Sequence, residues 1–153
     1  MRAAEKEDKM IALGCDHGGY RLMQEVKTHL DAKGIAYRDF GCFSEESVDY
    51  PDYAHKVGHA VQDGSCEKGI LICGTGIGIS ITANKMKGIR CALCTNEYMA
   101  RATREHNDAK ILAMGGRVTG PGVACGIVDA FLSTPFSEGE RHIRRIRKIE
   151  EEQ

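Results

Sequence analysis

Short apolar runs that end on glycine alternate along this chain with stretches whose apolar residues recur every three or four positions. Met10-Ile11-Ala12-Leu13-Gly14-Cys15 is a run of the kind a buried parallel strand needs. After Asp16-His17-Gly18-Gly19, residues Leu22, Met23, Val26 and Leu30 fall at helical spacing, and Gly34 follows as a stop. Ile35 to Phe40 reads as a second strand, and a polar loop through Cys42-Phe43-Ser44-Glu45-Glu46-Ser47 leads to Asp49-Tyr50-Pro51. Pro51 suits the first turn of a helix that carries Ala54, Val57, Ala60 and Val61 on one face and closes at Gly64. Gly69 to Cys73 has the clearest strand pattern in the chain. Gly74-Thr75-Gly76-Ile77-Gly78 interrupts it, and Ile79 to Lys85 resumes as a helix.

The second half repeats the alternation. Ile89 to Leu93 predicts a strand, and Thr95 or Asn96 can cap a helix running towards His106. Lys110 to Met114 is a fifth strand, followed by Gly115-Gly116-Arg117, and Pro121 opens a helix through Leu132 that Pro135 ends. The last segment, Glu138 to Glu152, places Ile143, Ile146 and Ile149 three apart on a basic helix. Five strand–helix units in succession predict an α/β three-layer sandwich: a five-stranded parallel, Rossmann-like sheet with helices on both faces and the C-terminal helix extending from it. Residues 10–153 read as a single domain, with the charged, aperiodic 1–9 as a frayed and disordered extension.

Composition narrows the class. The chain has 153 residues, with 21 Lys+Arg against 22 Asp+Glu, a balance that offers no basic field for nucleic acid or an anionic membrane. Its apolar runs are far too short to span a bilayer, and the charged start is not a secretory signal. Seven cysteines, an odd number whose spacing does not resemble a disulfide framework, point together with the missing signal to a reducing, cytoplasmic setting.

Ligands of open parallel sheets bind at the carboxyl ends of the strands. That rule gathers Asp16-His17, the Cys73-Gly74-Thr75-Gly76-Ile77-Gly78 loop and Gly115-Gly116-Arg117 on one edge. Glycines at 74, 76 and 78 permit a tight turn with N–H groups facing an anion, backed by a helix N-terminus. The loop matches neither the P-loop nor the dinucleotide fingerprint, and a plain strand-to-helix turn is the competing reading. A helix N-terminus favours the thiolate of a nearby cysteine, so Cys73 can serve as nucleophile or general base; packing as a small hydrophobe is the alternative. Cys91 and Cys94 form the one C-x-x-C, but strand alternation sends them to opposite faces, away from a common metal or disulfide. Cys15, Cys42, Cys66 and Cys125 join no constellation. His17 and His106 stand out by the loops they occupy, whereas His29, His55, His59 and His142 read as bystanders. Arg141 and Arg145, four apart on the last helix, can grip a phosphate or merely face solvent.

Taken in order, Gly14-Cys15-Asp16-His17, Asp49-Tyr50-Pro51, Cys73 to Ser80, Ala83-Asn84-Lys85, Arg104 to Asp108 and Gly116-Arg117-Val118 resemble the type B ribose-5-phosphate isomerases. That family also holds galactose- and allose-6-phosphate isomerases. The resemblance spans about Met10 to Ile149; the departures are the stretch before Met10 and small loop differences. It implies a cofactor-free and metal-free interconversion of ribose 5-phosphate and ribulose 5-phosphate through an enediolate, in the non-oxidative pentose phosphate pathway. By resemblance, Cys73 is the base at C2 and His106 the acid that helps open the furanose; Thr75, from its place in the loop, can relay or steady the proton shuttle. The resemblance also has Asn107, Asp16 and His17 bind the sugar, Tyr50 line the pocket, and Arg117, Arg141 and Arg145 surround the phosphate, while the backbone N–H groups of the Gly74, Thr75, Gly76, Ile77 and Gly78 turn can hold the developing charge. The resemblance further implies a homodimer, sometimes paired into a tetramer, whose pockets are shared between subunits. A sibling isomerase for six-carbon sugar phosphates and a non-catalytic sugar-phosphate or nucleotide module are the competing functions.

Overall fold

The structure, a computed structural model, describes residues 10–152; the expected extension 1–9 lies outside the described residues. Strands β1 (Ile11–Cys15), β2 (Tyr37–Asp39), β3 (Lys68–Cys73), β4 (Cys91–Leu93) and β5 (Ile111–Gly115) form one sheet in the order β2-β1-β3-β5-β4. Every pairing is parallel. β1, β3 and β5 are buried along their whole length, which is why they read as unbroken apolar runs. The edge strands β2 and β4 are shorter than the predicted Ile35–Phe40 and Ile89–Leu93, because only three residues of each meet a neighbour in register.

Helices α1 (Tyr20–Ala32), α4 (Glu97–Ala102) and α5 (Pro121–Ser133) cover one face of the sheet, and α2 (Tyr50–Gln62) and α3 (Ile77–Asn84) cover the other. This division follows from right-handed crossovers: connections running toward β2 lie on one face and those running toward β4 on the other. The predicted stripe Leu22, Met23, Val26 and Leu30 is buried in the first core, and Ala54, Val57 and Ala60 in the second. Gly34 (φ 66°) and Gly64 (φ 80°) take the left-handed conformation that ends α1 and α2. Asn96 is the cap of α4, its side chain accepting the Met99 N–H at 2.9 Å. Cys91 and Cys94 pack into opposite cores, as alternation requires.

Two segments differ from the sequence pattern. The helix expected to reach His106 leaves α geometry at Thr103 and continues as a π-helical turn, Thr103–Asn107, closed by Asp108 at φ 46°. The last helix, α6, spans Glu140–Glu151 rather than Glu138–Glu152, since Glu138 sits at φ 60° and Gly139 supplies its extended N-cap. None of the residues of α6 is buried, and it touches the rest of the chain chiefly at the π-turn and at Arg90. Among the described residues no helix is long and apolar enough to cross a membrane.

Candidate active site

Three loops meet at the carboxyl edge of the central strands. Cys73 ends β3 beside Gly115 of β5, and Gly116 donates its N–H to the Cys73 carbonyl at 2.8 Å. Arg117 donates its backbone N–H to the Gly74 carbonyl at 3.0 Å, and its guanidinium lies over Gly74. A Cβ on Gly116 would stand 2.4 Å from the Gly18 carbonyl oxygen, so the first and third loops touch through a position that admits no side chain. The convergence expected from strand ends is therefore present, with its contacts made by backbone.

Within the central loop, Gly76 at φ 80° turns its N–H back onto the Cys73 sulfur at 3.1 Å. α3 begins at the next residue, so the sulfur lies beside the positive end of an eight-residue helix. Thr75 Oγ1 accepts the Ile77 N–H at 3.2 Å, which leaves the hydroxyl hydrogen to donate outward. Other thiols have no such setting. Burial, reinforced by Cys42, pushes Cys15 upward, and burial alone takes Cys94 up to about 11. Those side chains are packing thiols.

Asp16 is buried and its Oδ1 accepts the Gly19 N–H at 3.1 Å, which fixes the carboxylate at the mouth of the first loop. His17 Nδ1 accepts the Val48 N–H at 3.2 Å, so the ring hydrogen sits on Nε2. That bond also ties the loop after β2 to the site. Tyr50, the first residue of α2, lays its ring against Gly78, where a Cβ would be 2.6 Å from the phenol ring. Asp16, His17, Tyr50, Cys73 to Gly78 and Arg117 thus form one cluster, with exposed Ile77 on its rim. Among the described residues no three His, Cys, Asp or Glu side chains gather as metal ligands.

His106, Asn107, Arg141 and Arg145 are elsewhere. The π-turn that carries His106 and Asn107 immediately precedes β5, which puts it at the amino edge of the sheet. The rise from Ile111 to Gly115 alone is about 13 Å, so His106 is out of reach of Cys73 in the same chain. The turn is clamped to the last helix. Ser137 donates from Oγ and N to the Glu105 carbonyl at 2.6 and 3.3 Å, and the rings of His106 and His142 stack with centroids 4.4 Å apart. On the other side Arg90 donates to the carbonyls of Asn107 and Asp108 and pairs with Glu150 at 2.7 Å. Arg141 and Arg145 line an open, basic hollow of about 740 Å³ on this helix, together with Ser137, His142 and Arg144. By sequence His142 reads as a bystander, and nothing in the pattern singles out Ser137 or Arg90. A signal was available for the division itself: a residue between a helix and the following strand belongs to the amino edge.

Comparison with known proteins gives a consistent picture. Residues 11–149 match the Ribose/Galactose Isomerase family. The chain is 49% identical over 141 residues to ribose-5-phosphate isomerase B of Escherichia coli, covering 92% of this chain and 94% of that one. It is 40% identical over 140 residues to D-erythrulose-4-phosphate isomerase of Pectobacterium atrosepticum, covering 91% of each. The solved structure of Clostridium thermocellum ribose-5-phosphate isomerase B superposes with a TM-score of 0.91 at 55% identity, over 93% of this chain and 95% of that chain. Agreement of this size over nearly the whole length shows that the chain belongs to the ribose/galactose isomerase family and is an isomerase.

Proposed function

We propose that the protein interconverts D-ribose 5-phosphate and D-ribulose 5-phosphate, the aldose–ketose step of non-oxidative pentose metabolism. The observation that carries this reading is the Cys73 sulfur, set at the carboxyl end of β3 and receiving the Gly76 N–H at 3.1 Å. An acceptor sulfur beside a helix N-terminus is suited to take the C2 proton of the open-chain aldose. The enediolate that results carries its charge on oxygen at C1 and C2. N–H groups of the Gly74 to Gly78 turn are fixed before the reaction begins, so they hold that charge without reorganising. Returning the proton to C1 gives the ketose. Asp16 and His17 Nε2 face the sugar hydroxyls, Tyr50 closes the side of the pocket, and Thr75 steadies the proton on its way between carbons.

The remaining groups come from a second copy of the chain. His106 protonates the ring oxygen to open the furanose, and Asn107 holds the sugar beside it. Arg141 and Arg145 meet Arg117 around the phosphate, whose binding energy fixes the reacting carbons. Two features support the homodimer. The groups of one chain lie at opposite edges of the sheet, and α6 carries the exposed Ile143 and Ile149 with no core of its own. No metal or cofactor enters any step of this reading.

The test is ribulose 5-phosphate formation from ribose 5-phosphate, in EDTA, by the wild type and by Cys73→Ala. The expected loss in the variant is about a thousandfold or more, the scale of a positioned general base. Retained activity would remove Cys73 as the base. Kinship with an enzyme named for a four-carbon sugar phosphate makes the length of the sugar the second question. Catalytic efficiencies on four-, five- and six-carbon substrates answer it; the reading expects the five-carbon sugar to lead.

A further inference from the structure

His142 lies in the first turn of α6, and its imidazole is stacked on that of His106 at 4.4 Å between centroids, the planes 16° apart. Three independent contacts lead to the same place. Gly139 has φ −63° and ψ 135°, a conformation open to any residue, yet a Cβ there would come 3.1 Å from Cδ2 of the His142 ring. The missing side chain makes room for the stack rather than for a turn. Ser137 bonds the Glu105 carbonyl at 2.6 Å, and Gly139 donates its N–H to Ser137 Oγ at 3.3 Å, so the start of the helix is docked on the residue before His106. Partial desolvation, followed by the cationic neighbours His106, Arg145 and Arg141, pushes His142 below the ordinary histidine range.

Resting on the isomerase reading above, we propose that His142 is a positioning residue. Its ring fixes the orientation from which His106 delivers a proton to the ring oxygen of the furanose. His106 itself is exposed on a π-helical turn, and among the described residues its ring takes part in no hydrogen bond that would hold χ1 and χ2. Without the stack the imidazole would sample several rotamers, of which few direct a nitrogen to the sugar. Flat contact with a neighbouring aromatic ring is what restrains it, and flatness does not require a second imidazole.

The experiment compares His142→Ala and His142→Phe with the wild type. For ribose 5-phosphate, His142→Ala should lower kcat about tenfold or more and leave KM within about twofold, since orientation rather than binding is lost. His142→Phe, which keeps a ring in the stack, should recover kcat to within about threefold. Ribulose 5-phosphate has no ring to open, so exchange of its C1 hydrogen with solvent deuterium uses Cys73 and not His106. That exchange should persist in both variants. Unchanged kcat in His142→Ala, a rise in KM alone, or a His142→Phe enzyme as impaired as His142→Ala would overturn the proposal. A wild type that turns over no sugar phosphate would instead sink the isomerase reading. The stack is read apart from activity by the ring-current shift of the His106 Cε1 proton, expected in the wild type and His142→Phe and absent in His142→Ala. A His106 resonance that does not move between wild type and His142→Ala overturns the proposal whatever the activity.

Discussion

Single atoms decide what the Cys73 loop can do. Gly76 sits at φ 80°, and a Cβ added there would stand 2.6 Å from Leu93 Cδ1 and 2.7 Å from the Met114 carbonyl carbon. The side chain of Leu93 can give way; the backbone of β5 cannot. Gly76→Ala therefore combines left-handed strain with overpacking, and should cost about 2 to 4 kcal/mol of stability in urea unfolding. It also displaces the N–H that reaches the Cys73 sulfur, so activity should fall even in the fraction that folds. A variant as stable and active as wild type would mean that the loop is not held as described. Gly78 is a milder case, because the group a Cβ would meet is the movable ring of Tyr50.

At the scale of elements, α1 and α5 are joined across the first core by a polar clasp. Asp129 of α5 faces His29 Nε2 on α1 at 2.7 Å and Nζ of Lys33, the C-cap of α1, at 2.8 Å. Desolvation pushes the carboxylate up, but the hydrogen bonds from Lys33 and His29 outweigh it and hold Asp129 below its ordinary 3.8. An acid held low in the folded state releases its proton more readily there than in the unfolded chain. The stability it adds is present above about pH 4 and disappears as pH falls through the lower folded value. Asp129→Asn should thus lower stability at pH 7 by about 1 kcal/mol or less, given the partial exposure of the pair. The gap in midpoint to wild type should narrow progressively as pH falls below about 4; a gap that stays constant there would assign the loss to packing.

The elements also show how far the sequence reaches. β1, β3 and β5 are legible because burial on both faces makes them uninterrupted apolar runs, and the loops that follow them carry Asp16, Cys73 and Arg117 to one edge. The placement of β4 outside β5 is not legible: a three-residue edge strand such as Cys91-Ala92-Leu93 contains nothing that names its neighbour. Nor does the pattern reveal the π-turn at Thr103–Asn107, since one extra residue in a turn leaves no mark on apolar spacing. The stacking of His142 on His106 was hidden for a different reason. It joins residues from two elements whose docking depends on Ser137 and Arg90, polar side chains that read as ordinary surface.

For the whole molecule, the proposed chemistry turns on the placement of the candidate residues at two edges of one sheet. Cys73, Asp16 and Arg117 stand at the carboxyl edge; His106, Asn107, Arg141 and Arg145 stand at the amino edge and on α6. On the proposed reading each chain holds two half-sites, and an isologous dimer would make two whole ones, each from the carboxyl edge of one copy and the amino edge of the other. The most direct measurement mixes two inactive variants, Cys73→Ala and His106→Asn, after dissociation and reassociation. Half of the resulting dimers would be hybrids, each with one intact site and one doubly damaged site. The account predicts recovery of about a quarter of wild-type ribose 5-phosphate isomerase activity in a 1:1 mixture. No recovery from a mixture shown to contain the hybrid would contradict it, because sites contained within single chains cannot complement.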